Sequence, residues 1–359
     1  MIQQESIQKE WIESIRKSKK ADKILVEKVI RALLLLEGLA QSELDFVFKG
    51  GTALMLLLGS INRLSIDIDI IIPNRDNKIE EILEKICKDK GFSRYEKNER
   101  TSATGIVKEH YKLFFHSVAE DKESFVLLDV LREDIHYKTM VDLSISSDFV
   151  KEEGEPVKVK VPDHDNILAD KLTAFAPNTT GIPYTKGEKE MGMEIIKQLY
   201  DIGCLCEHAK NTTEISEVFR AFAKVELAYR DSTSSIDDVL DDIFENAISI
   251  CLRADYKNAK FENLSKGITQ VKSFIFSENF HIEKAITHAA KTAYLSMIMK
   301  HGGTEVDKFN KSTDMSKWSI EYPTNKLNKL KKSNPEAFFY LYNMAELIKN
   351  SIEDKIETT

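Results

Sequence analysis

The chain has 359 residues, 42% hydrophobic and 31% charged, with a formal net charge of −8, 14 glycines and 7 prolines; this excludes a disordered, collagenous or disulfide-scaffold protein and suits two domains or one large helical domain. Cys87, Cys204, Cys206 and Cys251 show no CxxC spacing and no histidine-rich company, which argues against a zinc site and an extracellular disulfide framework. The N-terminus has no apolar core of signal-peptide length and no apolar run approaches bilayer length, so a cytoplasmic protein without membrane contact is expected.

From about 22 to 40 the apolar residues Ile24, Leu25, Val29, Leu33, Leu36 and Leu39 recur at helical spacing and predict a helix. A strand over 46–48 leads into the glycine pair Gly50-Gly51, a helix over 52–58 follows, and 66–72 reads as a strand. A charged amphipathic helix over 78–90 closes at Gly91, and further strands are expected over 92–97, 107–115, 125–131 and 157–161. After Pro162 a helix over 165–176, a loop with Pro177, Gly181, Pro183 and Gly187, and an almost wholly helical remainder are predicted.

The expected fold class is therefore α+β: an N-terminal domain with a mixed sheet and N-terminal helices over 1–165, and a mainly helical C-terminal domain over 166–359 contributing to the active-site cleft. The loop over 177–187 reads equally as a lid or as plain surface. Net acidity disfavours a global nucleic-acid binder, since phosphate contacts come from Lys and Arg. Locally, 308–332 carries seven lysines against Asp314 and Glu321, with Trp318 and Tyr322 among them; an RNA contact and a solvated face both fit.

The chemistry concentrates in Ile66-Asp67-Ile68-Asp69-Ile70. Strand alternation places both aspartates on one side, about 7 Å apart, with the isoleucines on the other. At an effective dielectric near 20 the pair repels by roughly 2 kcal/mol, which a divalent cation would relieve. Magnesium suits one or two carboxylates plus substrate phosphates, with manganese as an alternative. Asp129 stands alone among apolar neighbours on a predicted strand and supplies a third metal-binding carboxylate; capping a bulge or pairing with Arg132 is the plainer role. Gly50 and Gly51, just before a helix, suit the close approach of a triphosphate, with Thr52 as helix cap or phosphate donor.

Glycine pair, short helix and Asp-x-Asp strand together form the signature of polymerase-beta-type nucleotidyltransferases. The stretch KGGTALMLLLGSINRLSIDIDI resembles the first motif of the AbiEii/AbiGii nucleotidyltransferase toxin family, a GGTAL-like segment followed by R-x-S-x-D-[IL]-D. LADKLTAF, with Lys171, and EIIKQLYDIGCL, with Asp201, resemble that family's later Lys and Asp motifs, so the likeness spans about 45–208. Fifteen residues separate Gly51 from Asp67, longer than the general superfamily pattern but close to this subfamily's.

The resemblance implies a magnesium-dependent transferase taking a nucleoside triphosphate, with Asp67, Asp69, Asp129 and Asp201 in catalysis, the first three as metal ligands. Gly50, Gly51, Thr52, Arg63, Ser65 and Lys171 would hold the nucleotide. It further implies an RNA acceptor, transfer RNA at its 3′ end, a block of translation, and a cognate antitoxin. Plainer roles stand beside these: Arg63 and Ser65 tightening a turn, Lys171 solvated on its helix, and Asp201 paired with Lys197 four residues before it. The scattered His110, His116, His136 and His164 receive no chemistry. Two rival functions share the fold: a transferase modifying a small cationic drug of the aminoglycoside kind, and a non-catalytic module that only binds RNA or protein.

Overall fold

The structure is a computed structural model that describes residues 1–59, 63–73, 78–101, 107–253, 259–321 and 324–357. Tyr322, and residues 60–62 of the first motif, lie outside the described residues. The chain forms two compact units, Met1–Asp163 with Ser273–Asn279, and His164–Lys272 with Phe280–Thr359. Among the described residues no helix is long and apolar enough to cross a membrane.

In the first unit, α1 (Lys9–Lys19) leads to α2 (Lys23–Ala40), whose start is fixed by Asp22: its carboxylate accepts from the backbone N–H groups of Ile24 and Leu25. Apolar almost all round, α2 is buried from Val26 to Leu39 except at the half-buried Lys28, and forms the spine of the core. One of its few charges, Glu27, is fully satisfied, accepting from the Ser117 hydroxyl and the Val118 and Ala119 amides. A buried carboxylate held by three donors ties the helix to a strand turn instead of destabilising it.

Next come β1 (Val47–Lys49), α3 (Gly50–Leu57), β2 (Ile68–Ile71), α4 (Ile79–Lys90), β3 (Arg94–Thr101), β4 (Val107–Ser117) and β5 (Lys122–Arg132). The five strands form one sheet in the order β1-β2-β5-β4-β3, in which β2 and β5 are parallel and the other pairs antiparallel. The expected mixed sheet in an α+β chain is thus borne out. Parallel pairing needs a long crossover, and α4, β3 and β4 supply it. One sheet face, with Ile68, Ile70, Tyr111, Leu113, Val126, Leu128 and Val130, is buried in the core.

Sequence periodicity placed α2, α3, α4 and the strands within a few residues. Three details differ. β2 is shorter than 66–72, so Asp67 precedes the strand; β3 runs on past 97; and β6 (Met140–Ser144), paired with β7 (Lys158–Pro162), has too little apolar alternation to be seen. Segment Ser273–Asn279 returns to this unit, where the Phe274 carbonyl accepts from the Leu64 amide at 2.8 Å.

The second unit comprises α5 (His164–Ala174), a small hairpin of β8 (Thr185–Lys186) and β9 (Lys189–Glu190), and α6 (Gly192–Cys206), α7 (Thr212–Tyr229), α8 (Ile236–Leu252), α9 (Ala259–Gln270), α10 (Ile282–His301), α11 (Leu330–Ser333) and α12 (Pro335–Glu357). Buried from Ala285 to Met299, α10 is central. The loop over 177–187 is latched: Asp242 accepts from the Asn178 backbone and side chain and from the Thr179 hydroxyl, Arg230 donates to the Thr180 and Gly181 carbonyls, and Tyr184 donates to Asn246. In the basic segment Trp318 stacks on Tyr342 at 4.4 Å, and Lys331 donates to the Ser316 and Trp318 carbonyls, so Trp318 serves packing.

Candidate active site

The first motif folds as the tight strand-to-helix turn its glycines suggest. Gly50 has φ +80, and a Cβ built there would lie 2.0 Å from Oδ2 of Asp69. A side chain at Gly51 would meet the Ser65 hydroxyl at 2.7 Å and the Arg63 guanidinium at 2.8 Å. At Gly50 both the left-handed backbone and the adjacent carboxylate demand glycine, whereas at Gly51 the constraint is the close approach of the Ser65 and Arg63 side chains alone. The result is a close approach of backbone to carboxylate.

Thr52 is fully buried, and its hydroxyl donates to the Asp67 carbonyl at 2.6 Å. It clamps the residue before β2 onto α3, while the helix cap position falls on Lys49. Arg63 is buried and donates to the Leu64 carbonyl at 3.0 Å; Ser65 lies half-buried beside Gly51. Asp67 and Asp69 are both half-buried.

Strand register then brings in groups distant in sequence. Asp69 pairs with Asp129 across the parallel β2–β5 ladder, Lys49 stands opposite Asp69 on β1, and His110 stands opposite Asp129 on β4. Register partners share a face, so Lys49, Asp69, Asp129 and His110 form a row across the sheet at about 5 Å per strand. The Nδ1–H of His110 donates to Oδ1 of Asp129 at 2.6 Å, while Arg132 donates to Glu109 at 2.6 and 2.9 Å. Asp129 therefore takes the histidine as its partner, and Arg132 serves a different carboxylate. Neither Lys49 nor His110 carries a sequence signal of its own, because their place depends on register alone.

Two carboxylates on adjacent strands about 5 Å apart repel by about 3 kcal/mol at an effective dielectric of 20, less where solvent reaches Asp129, whose side chain is 36% exposed. An all-oxygen donor set with this charge fits a hard divalent cation. Among the described residues no group of three His, Cys, Asp or Glu side chains converges into a ready-made cluster. Magnesium held by two carboxylates and substrate phosphates does not call for one. A groove of about 780 Å³ lined by Gln41, Leu44, Ile72, Glu81 and Lys85 among others takes in none of these carboxylates.

The later motifs meet in the second unit. Lys171 of α5 donates to Asp201 Oδ2 at 3.0 Å and to Gln198 Oε1 at 3.1 Å, and the ion pair is buried, with side chains 9% and 3% exposed. Asp201 thus bonds across to another helix. Cys204 and Cys206 lie on α6, and all four cysteines are free.

The family model described as nucleotidyl transferase AbiEii toxin, type IV toxin–antitoxin system, matches residues 34–273, a span that takes in every residue of the three motifs. No curated protein matches the chain. Among solved structures, MenT4, a nucleotidyltransferase toxin from Mycobacterium tuberculosis, is 12% identical over 92% of this chain and 98% of its own, with a TM-score of 0.51, a likeness of fold. JHP933 from Helicobacter pylori is 16% identical over 79% of this chain and 94% of its own, with a TM-score of 0.43.

Proposed function

The chain belongs to the AbiEii nucleotidyltransferase toxin family of type IV toxin–antitoxin systems, and from that premise we propose that it transfers a nucleoside monophosphate from a triphosphate to the 3′ end of an RNA, transfer RNA in particular, and so blocks translation. The observation that carries this reading is the register pairing of Asp69 with Asp129 beside the Gly50 turn. There the Asp69 carboxylate lies against the Gly50 backbone, and Asp129 stands beside it on the next strand.

In the proposed reaction the acceptor hydroxyl oxygen forms a bond to the α-phosphorus as the bond from that phosphorus to the pyrophosphate breaks. The hydroxyl proton is released and pyrophosphate departs. Magnesium, or manganese in its place, held by Asp67, Asp69 and Asp129, would neutralise phosphate charge and lower the acceptor hydroxyl's pKa. Thr52 fixes Asp67 through its carbonyl, His110 orients Asp129, and Gly50 and Gly51 let phosphate oxygens approach the start of α3. Ser65 and Arg63 support that turn, and Lys171, set by Asp201, contributes a cation for the triphosphate. The reaction would take place in the cytoplasm, with a cognate antitoxin restraining it.

The test incubates the protein with each labelled triphosphate in turn and with bulk transfer RNA or an aminoglycoside, then sequences RNA 3′ ends. Label on RNA that disappears in Asp67→Ala and Asp69→Ala, together with relief of growth arrest, is expected. Label on the drug alone, or arrest that persists in both variants, would reject the proposal.

A further inference from the structure

The sheet face that bears Asp129 and His110 continues toward the β4–β5 turn. Leu127 pairs with Lys112, and Phe125 with Phe114, which in turn faces Arg94 of β3. Alternation puts these side chains on the carboxylate face, about 7 and 13 Å along the strand from Asp129. Because β2 pairs with β5 only at 128–131, Phe125 lies beyond the end of that ladder, and Lys28 of α2 reaches it there.

The charges on this patch are unevenly matched. Rings Phe114 and Phe125 lie 5.7 Å apart; Arg94 covers the first at 3.6 Å and is also bonded to Glu96 and Glu123. His116, further along β4, is bonded to Asp121. The Lys112 and Lys28 ammonium groups lie 4.9 and 5.2 Å from the Phe125 centroid, and among the described residues neither has a carboxylate partner. A ring quadrupole holds a cation in place without cancelling its charge. Two half-buried ammonium groups on one ring leave a local excess of positive charge on an otherwise acidic chain.

We propose that Lys28 and Lys112, held on Phe125, clamp a phosphodiester of the RNA acceptor a short way upstream of its reacting 3′ end. This rests on the reading that the acceptor is RNA. A polymer that continues past its terminal hydroxyl can reach both the clamp and the carboxylates. A triphosphate gripped at Asp69 and Asp129 has its charge engaged there. Backbone contact of this kind reads charge and path, not sequence, and is salt-dependent.

The test measures binding of a fluorescent single-stranded oligoribonucleotide and of bulk transfer RNA by anisotropy at several salt concentrations, for the full chain and for Lys28→Gln, Lys112→Gln and the double variant. Nucleotide affinity and circular dichroism are followed in parallel. Each substitution should weaken RNA binding and reduce the slope of log affinity against log salt by about 0.7, with nucleotide affinity and fold unchanged. If the unaltered protein binds RNA and the double variant keeps its affinity and slope, the clamp is refuted while the RNA acceptor stands. Loss of nucleotide affinity in step with RNA affinity would reassign the lysines to the triphosphate. Failure of the unaltered protein to bind either RNA would remove both readings.

Discussion

The Nδ1 of His110 lies 2.6 Å from Oδ1 of Asp129, and the two residues face each other across the β4–β5 ladder. A carboxylate so held keeps one orientation on the sheet face beside Asp69, at the cost of a single hydrogen bond to a neighbouring strand. Groups that orient metal ligands typically change metal affinity by about 10- to 100-fold when removed.

His110→Ala is therefore expected to weaken Mn²⁺ binding by about tenfold, read by electron paramagnetic resonance, with the fold intact. His110→Asn, whose side-chain amide can donate from near the Nδ1 position, should keep most of that affinity. Equal Mn²⁺ affinity in the alanine variant and the unaltered protein would show that Asp129 does not rely on the histidine.

Gly50→Ala meets two penalties, a left-handed backbone at φ +80 and a Cβ 2.0 Å from the Asp69 carboxylate. Gly59 is also left-handed, at φ +65, with nothing within 4 Å of a built Cβ. Gly59→Ala should thus cost only the backbone term of about 1–2 kcal/mol, a melting-point loss of a few degrees. Gly50→Ala should lose more and should also lose nucleotide transfer. Equal losses of stability, with transfer retained, would mean that Asp69 moves aside freely.

The buried Lys171–Asp201 pair makes Lys171→Ala a test of both folding and function. Removing one partner strands a buried charge, and a destabilisation of about 3–5 kcal/mol is expected by denaturant unfolding. Lys171→Met combined with Asp201→Leu should recover much of it. If Lys171 also grips triphosphate, calorimetry on that double variant shows nucleotide affinity still lost; recovered affinity would leave the lysine a purely structural part.

His288 packs against Gly203, Tyr200 and Phe280, and burial, then the charges of Lys291 and Lys284, push its pKa down to about 3. The unfolded chain takes up a proton near pH 6.5 that the folded protein refuses until about 3, so this group withdraws stability as pH falls through that window. The slope is at most about 1.4 kcal/mol per pH unit. His288→Phe should flatten the decline of melting temperature between pH 6 and 4; an unchanged decline would show that other groups govern it.

The local parts of the site were legible because their chemistry is contiguous. A glycine pair, a short apolar helix and alternating Asp and Ile each impose their own geometry within a few residues, and α2 announces itself by apolar spacing. Asp129 stands out in the sequence as a single charge among apolar neighbours, but its alignment with Asp69 is not legible there, since nothing in either segment specifies which strands pair or in what register. For the same reason His110 looked like one scattered histidine of several. The latched loop over 177–187 was ambiguous because Asp242, Arg230, Asn246 and Asn263, which restrain it, come from helices far along the chain.

By itself the sequence determined the α+β class, the carboxylate-bearing strand, the glycine turn and the family, all of which follow from short-range propensity, periodicity and motif spacing. Only the tertiary structure decided that Asp129 sits beside Asp69, that His110 holds it, that Thr52 clamps Asp67 and that Lys171 is buried against Asp201. These are contacts between segments tied together by sheet register and helix packing, and such pairings depend on how the whole chain excludes water from its core, which no local stretch encodes.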